Sequence, residues 1–323
     1  MVEIYEIIEV ESYNYPNEKV ESKGFLDLWE KDGNKINNVL FPKEIFTISE
    51  GESLCDAIIK TGKYNYLFED PEDNLTVNIK SKLTTQKRGV KYKRIFKPVY
   101  KIGLSFFRKK QIVLKNEFPI NKRHLVGSIE QLSTLIELLN NIFRTVYPCT
   151  DNYNSFGFDI RNLIILACTE FESQIVGILK ENEIRPKQKF YKTIDYVKLK
   201  DTLKLAEYEI SFTRYPDLPH ISPFIDWDKS NSTNSLDWYY NYNAIKHDRE
   251  NNFNKGKLLD VINAITASYI IIIAQYGKLP IINEILNDYF KIEKYPQWNE
   301  NEKLIVPKYK EEWRIENYNM PNT

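Results

Sequence analysis

Over roughly the first 120 residues apolar side chains tend to alternate with polar ones, and beyond about residue 127 they recur every third or fourth position. Alternation lines one face of a strand, while the longer period lines one side of a helix. Val2, Ile4, Ile8 and Val10 share even positions in a strand-like start. Phe25 to Trp29 suggests a second strand, followed by the turn-forming run Lys31-Asp32-Gly33-Asn34. Leu75, Val77 and Ile79 mark a half-exposed strand, Ile102 to Leu114 one or two more, and Glu50 to Thr61 a short helix.

The change near Gly127 coincides with Ser128 and Gln131, a capping-box pair that predicts a helix start. Leu132, Leu135, Ile136, Leu139, Ile142, Phe143 and Val146 continue it, and Pro148 ends it. Further helices are predicted over 158–181, 192–205, 238–249, 258–276 and 281–292, with Ser235 and Asp237 as N-cap candidates for the one over 238–249. The expectation is an α+β protein: a β-rich domain over 1–125, an all-α helical bundle over 126–295, and a tail over 296–323. That tail is expected to pack on the bundle through Trp298 and Trp313.

Leu258 to Tyr276 is the one stretch that raises the membrane question. Asp260, Asn263, Thr266, Ser268 and Gln275 interrupt it, and the apolar run Tyr269 to Ala274 is too short to span a bilayer. A buried core helix is expected instead. The N-terminus has no basic region leading into an apolar core, so no signal peptide is read there. Cys55, Cys149 and Cys168 are odd in number and form no CxxC or CxxH pair, which excludes a disulfide framework or zinc signature and fits a reduced, cytoplasmic protein. GxGxxG, Walker, GxSxG and HExxH patterns are absent, so no cofactor is expected.

The chain carries 45 basic and 45 acidic residues, yet none of the acidic ones lies between Asp73 and Glu117. Thirteen Lys and Arg residues fall in that interval, so the rest of this neutral chain carries −13. Lys87, Arg88, Lys91, Lys93 and Arg94, with Tyr92 beside them, are the candidate nucleic-acid contacts: cations for phosphates, a ring for stacking. A solvated hairpin facing the acidic remainder is the alternative.

The segment Trp238 to Glu250 places Asn243, Lys246, His247 and Glu250 at i, i+3, i+4 and i+7, one helical face, with Trp238, Tyr242 and Ile245 opposite. A histidine can exchange a proton with a ribose hydroxyl, Lys246 and Arg249 can neutralise a phosphate, and Asn243 can orient either group. No metal-ligand set accompanies them. A surface pair at a helix end is the plainer reading.

Together, Ala167-Cys168-Thr169-Glu170-Phe171-Glu172 and the later Tyr242-to-Arg249 stretch, Tyr-Asn-x-x-Lys-His-x-Arg, resemble the HEPN superfamily of helical domains over roughly residues 127–292. The resemblance implies a metal-independent ribonuclease of the toxin and antiviral-defence type, active as a homodimer, with His247 in the catalytic histidine position. Glu170 or Glu172 would position that histidine. The family's arginine four to six residues earlier is not matched, since Asn243, Tyr242 and Asn241 stand there. The expected function is RNA binding with metal-independent cleavage, the alternative a non-catalytic module that binds protein or nucleic acid.

Overall fold

The computed structural model describes residues 2–15, 18–39, 44–68, 75–84, 86–99, 122–277, 284–307 and 311–320. Ile102 to Leu114 lies outside them, as do the basic residues from Lys101 onward in the acid-free interval. The chain is α+β, and it divides into two units that do not follow the chain order simply.

The first unit is built on an antiparallel sheet of β1 (Glu3–Tyr15), β2 (Glu18–Asp32), β3 (Lys35–Asn38), β4 (Ile45–Thr47) and β5 (Leu75–Leu83), in the order β4-β3-β2-β1-β5. Helix α1 (Leu54–Lys60) is capped by Ser53, whose hydroxyl accepts the Asp56 N–H. Its Ala57 and Ile58 share one apolar cluster with Ile7, Trp29, Ile36 and Ile79. Ile4, Leu28 and Val39 form a second cluster with Ile305. The single even-numbered apolar face expected of β1 is corrected: odd-numbered Ile7 joins the first cluster and even-numbered Ile4 the second, so both faces of the strand are covered, while Val2 is exposed. Gly33, at φ +62°, makes the two-residue turn between β2 and β3.

The second unit is mostly helical: α2 (Lys122–Phe143), α3 (Phe158–Glu181), the short α4 (Thr193–Tyr196) and α5 (Leu199–Thr202), α6 (Asp237–His247), α7 (Leu258–Tyr276) and α8 (Glu284–Tyr289). It is not all-α. The predicted helix over 281–292 is α8 followed by strand β7 (Phe290–Lys294), which pairs antiparallel with β6 (Glu209–Phe212). The predicted helix over 192–205 splits into α4 and α5, with Lys204 in the left-handed region at φ 51°. The Ser128 capping box is corrected as well. The helix is already formed by Lys122, and the Ser128 hydroxyl bonds back to the His124 carbonyl while accepting from Gln174. Neither Ser235 nor Asp237 caps α6; Leu236 holds that position without a side-chain bond.

Helices α3 and α7 are long and apolar enough to cross a membrane by composition. Eighty-nine per cent of the apolar stretch in α7 is buried inside the unit, against half of that in α3. Core packing therefore accounts for the apolarity of α7.

The domain limits also differ from the expected ones. Residues Lys91–Pro98 belong with the helices, and Trp298–Trp313, expected on the bundle, belong with the sheet. Arg314–Thr323 belongs with the helices, where the Tyr318 N–H donates to Asn182 Oδ1. The cause lies in side chains rather than in chain order: Ile305 completes an apolar cluster of the sheet, while Ile95 is part of the helical core.

Candidate functional site

Helix α6 forms because its aromatic side has a core to enter: Trp238, Tyr239, Tyr242 and Ile245 are all buried. Phe171 of α3 meets Trp238 and Tyr239 edge-on, at 5.3 and 5.9 Å between ring centroids. The helix stops at His247. Asp248 leaves helical geometry at φ −144°, ψ 81°, and its carboxylate accepts the Asn251 N–H, a local bond that competes with another helical turn. Asn243, Lys246 and His247 therefore share a helical face, as the spacing requires. Arg249 and Glu250 do not belong to it, being exposed in the turn beyond the helix.

The face is linked to α3 through tyrosine hydroxyls. Tyr239 donates to Glu172 Oε1 at 2.5 Å and Tyr242 to Oε2 at 3.4 Å. The Lys246 ammonium donates to the Tyr242 hydroxyl at 2.9 Å and stands 3.6 Å from the same carboxylate. Burial pulls the Lys246 pKa down, but the Tyr242 hydroxyl and the Glu172 charge outweigh it, so it stands above the ordinary lysine value. Burial, then the Glu172 charge, raises the Tyr239 phenol well out of the titrating range. His247 is exposed and has no hydrogen bond or ion pair among the described residues. Asn243 is half-buried beside it.

Glu170 is on another side of α3. Its carboxylate accepts the Gln174 side-chain amide at 2.5 Å, within a network that reaches α2 and α7. Two residues along a helix amount to about 200° of rotation, so Glu170 and Glu172 face apart. Of the two, Glu172 meets α6, and Glu170 is corrected to a member of the Gln174 network. Sequence reasoning also missed the roles of Tyr239 and Tyr242. The signal available was a tyrosine four residues before Lys246, within reach of its ammonium.

The proposed nucleic-acid contacts separate into surface and interior. In the sheet unit, Lys87 is exposed, but Arg88 is largely buried, ion-paired with Glu30 and donating to the Val39 and Val306 carbonyls. In the helical unit the Lys91 side chain is buried, and burial pulls its pKa down to about 8. Tyr92 packs edge-on against Tyr318 at 4.9 Å, and the Lys97 ammonium lies over both rings. Lys93 is half-buried, its carbonyl accepting from Asn182. Arg94 threads its guanidinium between α3 and α7, donating to Gln275 Oε1 at 2.6 Å and Gln174 Oε1 at 2.9 Å. Arg88, Lys91 and Arg94 thus spend their charge inside the protein, which corrects their assignment to a polyanion-binding surface.

His124 and His220 are placed by structural bonds: His124 Nδ1 to the Tyr276 hydroxyl at 2.7 Å, His220 Nδ1 to Glu209 at 2.9 Å. Among the described residues no three His, Cys, Asp or Glu side chains gather as a metal site. The architecture defines an α+β protein with a sheet unit and a helical unit. Comparison with protein-family models, curated proteins and solved structures finds no match for this chain.

Proposed function

We propose that this is an RNA-binding protein whose helical unit, resembling the HEPN superfamily, contacts a phosphodiester at the C-terminal end of α6 and cleaves it by proton transfer through His247. The observation that carries this reading is the exposed, unengaged imidazole of His247 next to a lysine whose ammonium is held in place by Tyr242 and Glu172. An imidazole has one nitrogen that can accept a proton and one that can donate, so it can take the proton of a ribose 2′-hydroxyl or return one to the leaving oxygen. Asn243 is the donor nearest in helical position for a phosphate oxygen, and Lys246 offsets charge as it builds. In this reading the β-rich N-terminal part serves recognition, the protein works in the cytoplasm in defence against foreign RNA, and two copies pair as a homodimer.

One observation favours a second reading. The Lys246 charge is already engaged by Glu172, and Arg249 is off the helix, which suits a module that binds without cutting. Incubating wild type and His247→Ala with mixed RNA in EDTA separates the two. Fragments from wild type alone support cleavage; RNA retention by both with fragments from neither supports the binding module. Equal cleavage by both removes His247 from the mechanism.

A further inference from the structure

Between α3 and α4 the chain runs from Ile184 to Ile194 without an acidic residue, and Arg185, Lys187, Lys189 and Lys192 fall within eight positions of it. All four are exposed, and none has an ion-pair partner among the described residues. Phe190 stands among them with 67% of its surface exposed, the Lys189 ammonium 5.4 Å from its ring centroid.

Repulsion between neighbouring cations would ordinarily loosen such a loop, yet its backbone is fastened. The Asp195 carboxylate, 1% exposed, accepts the backbone N–H groups of Lys187 at 3.0 Å and Lys192 at 3.2 Å. It also pairs with Lys198 at 3.1 Å. The Tyr191 hydroxyl donates to the Ile184 carbonyl at 2.8 Å. One buried carboxylate therefore holds the loop frame through main-chain bonds and leaves the side chains of Lys187 and Lys192 to solvent. Tyr196, which follows in α4, is close enough to Glu172 and Tyr242 for their charges to help raise its phenol pKa after burial, so the loop leads to the side of α3 that α6 occupies.

We infer that loop 185–192 holds single-stranded RNA, its cations on the phosphates and Phe190 stacked on a base. A pre-ordered frame lowers the ordering cost of binding, the four cations supply counterion release, and one exposed flat ring suits a base. A lipid surface would call for a larger apolar face than a single phenylalanine. This inference rests on the RNA reading for its choice of polyanion, and it gives that reading a surface distinct from His247.

The test uses the full chain and a fluorescein-labelled single-stranded oligouridine, followed by anisotropy at several salt concentrations. Substituting Lys187→Gln, Lys189→Gln and Lys192→Gln together should weaken binding about tenfold or more and flatten the log–log salt slope by about 2. Phe190→Ala should weaken it about fivefold to a hundredfold with the slope unchanged. Unaltered melting temperatures show that the frame survives. Wild-type binding that persists in both variants overturns this inference and leaves the RNA reading standing. No wild-type binding overturns both, and phosphatidylserine vesicles bound in place of the oligonucleotide would identify a membrane surface.

Discussion

Replacing Gly177 by alanine should destabilise the helical unit, against the usual direction for such a change in a helix. Gly177 lies in α3, where alanine is favoured over glycine by about 1 kcal/mol. A Cβ there would stand 2.0 Å from Nη1 of Arg94 and 2.8 Å from its Cζ. The guanidinium is the far end of a flexible side chain, so it can move, but only by leaving its acceptors Gln275 Oε1 and Gln174 Oε1. Hydrogen bonds from a charged donor contribute about 1.5–3 kcal/mol each. Loss of both, offset by the propensity gain, predicts a net destabilisation of about 2–5 kcal/mol. In a unit of this size that lowers the melting temperature by about 5–15 °C. Urea titration gives the free energy, and hydrogen exchange over 91–98 locates the loosening. The control is the same change in an Arg94→Ala background, where the clash is gone and alanine should become neutral or stabilising by up to about 1 kcal/mol. A stable Gly177→Ala protein, or equal losses in both backgrounds, would refute the reasoning.

Two further outcomes follow from the charged groups around α6. Asp260 is 4% exposed, and burial raises its carboxyl to about 6 although Lys257 N–H and Asn241 donate to it. Because the folded state holds this proton up to about pH 6 and the unfolded chain releases it near 4, its contribution to stability falls as pH rises through that window. Wild type should lose up to about 3 kcal/mol relative to Asp260→Asn between pH 4 and 7, and a pH-independent difference in urea stability would count against it. Lys246→Met should cost less than about 1 kcal/mol, since the ion pair with Glu172 is half-exposed; a loss above 2 kcal/mol by the same titration would mean the pair is structural.

Periodicity made the apolar frame legible. The residues from Leu132 to Phe143, and those of α3 and α7, are buried on the faces their spacing implied. Helix ends were less legible, because side chains that cap also serve elsewhere: Ser128 reads as a cap but closes a bond between α2 and α3. The helical face of Asn243, Lys246 and His247 follows from spacing alone, while its link to Glu172 depends on α3 and α6 meeting, which no local pattern encodes. Glu170 and Glu172 look equivalent along the chain and differ only through the rotation of α3.

The charges pose the hardest problem of this kind, because counting them along the chain says nothing about which face solvent. Lys91, Arg94 and Lys97 fall in a thirteen-cation run, yet all three side chains are buried, the Lys97 ammonium over the rings of Tyr92 and Tyr318 and the guanidinium of Arg94 on the amide oxygens of Gln174 and Gln275. Arg185, Lys187, Lys189 and Lys192 make a far weaker signal in sequence, and they remain exposed because Asp195 takes the backbone amides of the loop and leaves their side chains in solvent. A buried cation has already exchanged its water for protein acceptors, so a polyanion gains little from it. Exposed, unneutralised cations on a fixed backbone retain their full counterion release. On the proposed RNA reading, charge reversal at Arg88 and Arg94 should therefore lower the melting temperature before it alters oligonucleotide affinity by anisotropy, whereas the same reversal at Lys187 and Lys189 should weaken that affinity with the melting temperature unchanged.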